Sequence, residues 1–490
     1  ISIGGNTSQG GSSVNSFAFY SVNSGNSKII LNNLFHNVRT GPASNTHAAI
    51  RLNNITGVTI DYNNYWSQSS IVGRMGAANV PLIDGWRTAT GQDVHSVNVP
   101  TDFTIPFGED PYDYIPLNPQ AGVSIPEITW DFSLADRDCN NTMGAWETDM
   151  ITLEATGPAG LLNGSYRTLA DAFDKINDGT HQGDIDIKIN CNTFELRRAV
   201  LYQSGYNSTS LYNRVRIYPA QPDIRVSGEL DEALIVLDGA DNVTISGRIN
   251  YTGADRNLTL DNYLPVPAYR PTAMTVQLLN GATNDSIAGC IIRGGSISNG
   301  VIDIRGGGNN HNNVFINNLF TNTGIVGNET RAATFFMSTG SGGTNTGVIA
   351  DNEFRNVLRL SRNPETSARV DAILLNSGNT NWTISGNSFY ETGTYTTTNS
   401  VELSCIRIAS NGNNFIIENN FIGGNAPGAV GLWNKTGFNN SFTAIHLATA
   451  TGAGNVVRGN VIRGFNWTNS GGSTGANWTG IHIQDGSAIV

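Results

Sequence analysis

One line of residues returns along this chain: apolar positions alternate with others, and an asparagine follows near the end. It reads NNVFINNLF at 312–320, TGVIADNEF at 346–354, NWTISGNSF at 381–389, NNFIIENNF at 413–421 and GNVVRGNVI at 454–462. Closer to the amino end it reads NSKIILNNLF at 26–35 and GVTIDYNNYW at 57–66. Aligned on one column, the shared positions are Asn318, Asn352, Asn387, Asn419 and Asn460, at steps of 34, 35, 32 and 41 residues. Asn33 and Asn64 repeat the column 31 residues apart. A second alternation precedes the lines: GVIDIRGG, DAILLNSG, SCIRIASNG, TAIHLATATG and TGIHIQDG. Each places an inward pair around one outward residue, as strands of period two do.

Two or three short strands in each repeat, split by Gly, Asn and Ser turns, cannot bury their apolar faces alone. Stacked on one another they can. Helical solenoids would show a 3.6-residue period, and a propeller would need four antiparallel strands per blade. The reading that fits is all-β: a parallel β-helix, a solenoid with one coil per strand spacing. The asparagine column then has a mechanism, because side-chain amides stacked at strand spacing hydrogen-bond to one another and to turn backbone. Cys290, in SIAGCII, falls in the same column. Phe320, Phe354, Phe389, Phe421 and Phe35 are expected to form an aromatic stack beside it.

Residues 151–200 break the pattern. ITLEAT reads as a strand, SYRTLADAFDKIND as a helix with Leu169, Ala172, Phe173 and Ile176 on one face, and IDIKIN as a strand again. A β-helix exposes an apolar cross-section at its end, and one short amphipathic helix over 167–177 would cap it. The expected organisation is therefore coils that close a β-helix over 1–66 and an irregular, Pro-rich terminal or linker segment over 67–150. A strand–helix–strand cap over 151–200 and coils over 201–490 follow.

The segment from NNYW at 63–66 onward resembles the end of secreted right-handed β-helix repeat proteins of the pectate-lyase-like fold. These carry a W-x-x-x-T-G-Q-D segment and a closing D-x-x-x-x-x-R…D-I-G-A-x-E motif. Trp86 to Asp93, Asp131 to Arg137 and Met143-Gly144-Ala145-Trp146-Glu147 occupy those places, with Thr142-Met143 standing where the motif has Asp-Ile. The stretch from Thr152 to Asn257 is similar to the first coils of the same broad group, common in large secreted proteins of the Bacteroidetes. The resemblance covers most of the chain. It implies a right-handed solenoid and an extracellular or cell-surface location, and says little about activity. In that frame residues 1–150 end one β-helix and 151–490 begin another. SAIV followed by ISIGGN completes a repeat line, so the strand ending at Val490 is expected to continue at Ile1, of a next copy joined head to tail or of the same chain closed on itself.

Composition narrows the function. Lys and Arg number 28 against 39 Asp and Glu, a formal net charge of −11. This argues against a nucleic-acid partner, which needs a concentrated basic face. No run reaches the length a membrane helix requires. Cys139, Cys191, Cys290 and Cys405 follow no metal or redox spacing and read as four separate thiols. Asp131, Asp136 and Asp138 cluster without the spacing of a calcium loop, so no metal and no cofactor is expected.

One outward column crosses the inner alternations: Asp303, Phe336, Leu374, Arg407, His446 and His482, then Tyr20 and Arg51. Arg407, His446, His482, Tyr20 and Arg51 are the candidate glycan-contacting residues. A glycosidase needs two carboxylates converging on one face, and this column offers only Asp303. A lyase needs a base beside a carboxylate cluster. The expected protein is a non-catalytic structural or adhesive repeat unit of an extracellular filament. Its expected partners are copies of itself and polysaccharide. A carbohydrate-active enzyme on the same fold is the alternative.

Overall fold

The computed structural model describes residues 2–3, 14–22, 27–103, 110–132, 137, 141–148, 150–157, 160–262, 272–296, 298–322, 334–357, 369–397, 400–452, 454–471 and 475–490. The chain forms two compact units, Ile1–Met150 and Ile151–Val490.

In the second unit the short alternating runs become strands, and corners separate them. From Gly289 onward the corner between the first and second strand of a coil turns on one residue at positive φ: Gly289, Asn317, Asp351, Gly386, Asn419 and Gly459. Only Gly, and to a lesser degree Asn and Asp, adopts this left-handed region at low cost, which accounts for the N-N, D-N and G-N pairs in the repeat. Strands of successive coils pair in parallel, giving sheets of 11, 9 and 9 strands, the first of which opens with two antiparallel pairs made by Ile151–Ala155 with Asn163–Tyr166 and with Gly183–Ile189. Examples are Asn313–Ile316 on Asn345–Ala350, Leu319–Thr321 on Glu353–Arg355, and Arg369–Leu375 on Glu402–Ala409. Ile187, Ile217, Ile245, Ile287, Phe315, Ile349, Ile384, Ile417 and Val457 are all buried, one from each coil of the first sheet. This arrangement fits a parallel β-helix.

The amide column stands one residue from where the sequence alignment puts it at two rungs, Asn419 and Asn64. Asn318 Nδ2 donates to Asn352 Oδ1 at 3.1 Å, Asn352 to Asn387 at 3.0 Å, Asn387 to Asn420 at 3.0 Å and Asn420 to Asn460 at 2.9 Å. Each Oδ1 also accepts the backbone N–H of the preceding rung, and the Cys290 N–H feeds Asn318 Oδ1 at 2.9 Å. Asn419 is exposed and holds the left-handed corner; the buried member is Asn420. The same shift places Ile422, not Phe421, opposite Phe389. Phe320, Phe354 and Phe389 stack with centroids 4.7 Å apart and nearly coplanar rings. In the first unit the corner residues are Asn32 and Tyr62, so Asn33 bonds Asn63 at 2.9 Å. Asn64 instead donates to Thr101 Oγ1 at 2.8 Å. Phe35 there stacks on Tyr65.

The helix Leu169–Asn177 buries Leu169, Ala170, Ala172, Phe173 and Ile176. Thr168 Oγ1 caps it by accepting the Asp171 N–H at 3.1 Å. The fully buried Glu195 carboxylate accepts the N–H groups of Leu169 and Ala170 at 2.9 and 3.0 Å. A carboxylate is suited to a helix N-terminus, yet burial pushes its pKa up to about 7 against those two bonds.

Residues 67–150 are less irregular than their composition implies. Ile71–Met75 extends the sheet of Ser16–Ser21 and His47–Leu52, and Ala78–Val80 closes it antiparallel. A helix follows at Ile83–Thr90, with Trp86 fully buried. Trp86 Nε1 and the Tyr65 hydroxyl both donate to Asp93 Oδ2 at 2.7 Å, so the W-x-x-x-T-G-Q-D segment ties a helix to a strand. Arg137 pairs with the buried Glu147 at 2.9 Å, and Asp131 accepts the Glu147 N–H. Cys290 and Cys405 are free and buried, but Cys191 is disulfide-bonded, which corrects the reading of four thiols. Sequence spacing carries no information about cysteines brought together by folding. Cys139, Asp136, Asp138 and Ile1 lie outside the described residues, and with them the calcium-loop and Val490–Ile1 readings.

Candidate functional site

The outward column of the third sheet runs Gln277, Asp303, Met337, Leu374, Arg407, His446 and His482 by strand register. Phe336 is not in it. It pairs with Ile302 and Ile373 and is fully buried, so Met337 takes its place. In the first unit Tyr20 stands opposite Arg51, and Arg51 opposite Arg74.

Much of the second-unit column is not open to solvent. Asp303, Leu374 and His446 are buried, Arg407 is 12% exposed, and only His482 is freely exposed. Three further strands, Thr394–Thr397, Trp433–Gly437 and Phe465–Trp467, pair in parallel as a small fourth sheet.

Charge on this face is closely matched. Arg305 bonds Asp303 Oδ1 at 2.6 Å, and Gln277 bonds its other oxygen at 3.0 Å. Arg369 holds Asp371 at 2.8 Å, and Arg407 holds Glu402 at 3.2 Å. Burial, then the charges of Arg407 and His482, push His446 down to about 4, so its ring is neutral at pH 7. Its two nitrogens have no hydrogen-bond partner, and its ring meets that of His482 edge-on at 4.9 Å. Beside them opens a groove of about 390 Å³ lined by Glu402, Ser441, Thr443, Asn477, Thr479 and His482. Hydroxyls, amides and one carboxylate suit it to a polyhydroxyl ligand.

The sequence reading missed Arg369, Asp371, Glu402 and Arg74. Asp303–Arg305, at the end of one strand, and Arg369–Asp371, at the start of another, are i, i+2 neighbours, a D-x-R or R-x-D signal legible once the strands are assigned. Among the described residues no group of three or more His, Cys, Asp or Glu could hold a metal ion. No helix among them is long and apolar enough to cross a membrane. No family model, curated protein or solved structure matches the chain.

Proposed function

We propose that this chain is a non-catalytic structural or adhesive unit of an extracellular or cell-surface fibre, built as a right-handed parallel β-helix and touching glycans along an outward face. The observation that carries the reading is the pairing of the outward carboxylates. Asp303, Asp371 and Glu402 are each held by an arginine, whereas glycoside hydrolysis needs two carboxyl groups free to exchange protons or attack carbon. The likeness of its terminal motifs to secreted β-helix repeat proteins and the disulfide at Cys191 support export to an oxidising compartment. Copies of the same chain, head to tail, are the proposed fibre partners.

The test is a panel of neutral and acidic polysaccharides incubated with the purified chain. Retention of glycan without new reducing ends or unsaturated sugars is expected. Catalytic release from any member would overturn the reading in favour of a carbohydrate-active enzyme using the Glu402–His482 groove.

A further inference from the structure

In the first unit the strands Ser16–Ser21, His47–Leu52, Ile71–Met75 and Ala78–Val80 place Tyr20, Arg51, Arg74 and Asn79 in one outward row. The two arginines are directly opposite each other on adjacent strands, roughly 4.8 Å apart along the stacking direction. Like charges in that relation repel. In the second unit the outward charges Asp303, Asp371 and Arg407 each have a partner of opposite charge. Here, among the described residues, neither guanidinium is paired with a carboxylate, in a chain where Asp and Glu outnumber Lys and Arg by 39 to 28. Arg51 lies over the Tyr20 ring at 4.3 Å and the Phe17 ring at 5.3 Å. Among the described residues Arg74 donates only to the neutral Thr46 Oγ1, at 3.1 Å. Both Nε atoms are shielded from solvent without an acceptor. The guanidiniums are thus held in place by rings and a hydroxyl while their charge stays uncompensated.

We infer that this row is a receptor for an acidic polysaccharide, with Arg51 and Arg74 binding its carboxylate or sulfate groups and Tyr20, 44% exposed, offering a ring face to a sugar. A guanidinium presents parallel N–H donors that match a planar or tetrahedral oxoanion. Two of them at rung spacing meet charges carried along an extended chain, and Asn79, exposed at the end of the row, supplies a carboxamide for hydroxyls. The inference rests on the glycan-contacting reading above and assigns it a charge class and a place.

The experiment measures binding of heparin, polygalacturonate, dextran and inorganic sulfate to the whole chain by calorimetry. It compares wild type, the Arg51→Gln/Arg74→Gln double variant, and Arg214→Gln, a control that removes a surface arginine paired with Asp184 at 3.1 Å. Expected are heparin or polygalacturonate binding that falls at least tenfold in the double variant, is unchanged in the control, and weakens with added salt. The double variant, relieved of the repulsion, should melt no lower than wild type in the absence of ligand, so lost binding cannot be lost folding. An acidic polymer bound equally by the double variant, or binding lost equally in the control, overturns the inference while leaving a glycan-binding protein. Dextran binding alone does the same. Sulfate binding with no polymer binding overturns it in favour of a simple anion site. Absence of all binding removes the glycan reading as well.

Discussion

Replacing Asn420 by alanine tests the register of the amide column most directly. Asn420 is fully buried. Its Oδ1 accepts the backbone N–H and the side-chain N–H of Asn387, both at 3.0 Å, and its Nδ2 donates to the Ile384 carbonyl and Asn460 Oδ1, both at 2.9 Å. Alanine leaves the Asn387 backbone N–H and one Asn387 side-chain hydrogen buried without partners, and removes one of the donors to the Ile384 carbonyl. At roughly 1–3 kcal/mol for each orphan group, partly relaxed, the cost is about 3–5 kcal/mol. Asn419, one residue earlier, is exposed and contributes mainly its tolerance of φ 56°. Asn419→Ala should cost about 1 kcal/mol of left-handed strain. The assay is urea unfolding of both variants, with hydrogen exchange followed on peptides across 381–390. The Asn387 amide should lose about a hundredfold or more in protection in Asn420→Ala and little in Asn419→Ala. Equal costs, or a larger cost at Asn419, would refute the register and the hydrogen-bond argument together.

Three further outcomes are expected. Gly73→Ala puts a Cβ 2.5 Å from the Trp86 ring, an overpacking that should cost about 1–3 kcal/mol and appear as a lower melting temperature of the first unit. Thr168→Ala removes the helix cap and should cost about 1 kcal/mol, read as faster amide exchange at 169–172. Glu195 has a folded pKa of about 7, above the usual 4.5, so the folded state holds its proton more tightly than the unfolded one. The group therefore favours folding at acid pH, and its contribution declines by about 3 kcal/mol as pH rises from 4.5 through 7. Glu195→Gln should flatten stability over that range, and an unchanged slope would count against the assignment.

Periodicity made the strands, the cap and most of the amide column legible, because each depends on local patterns repeated many times. The failures come from single-residue slips. IENNF and INNLF both contain a pair of asparagines, but in one the phenylalanine follows at once and in the other after a leucine. Aligning on phenylalanine moved the column to Asn419, and a shift of one reverses which face a strand residue presents. Positive φ is the feature that separates the two asparagines, and it is a property of the corner, not of composition. Phe336 was displaced by the same kind of slip. The helix at Ile83–Thr90 was not legible because it is short, starts without a side-chain cap, and buries only Trp86 and Thr90. The burial of much of the outward column was not legible either. Residues 394–397, 433–437 and 465–467 lie in insertions between repeat lines, where no period reports on them, and the loss of solvent at His446 has no sequence signature.

Under mechanical load the amide column becomes a set of links in series. A pull along the stacking direction puts the same tension on every rung, and the first to yield is the one with fewest cross-links. From Asn318 to Asn460 each rung carries side-chain bonds in addition to its sheets. At Cys290 the thiol offers the preceding coil only a long 3.8 Å contact with the Ile245 carbonyl, a weak donor in place of an amide. Within the column the weakest link is therefore the one between the coils of Val243–Ser246 and Ser286–Ala288, and the asparagine-linked coils beyond it hold together as one piece.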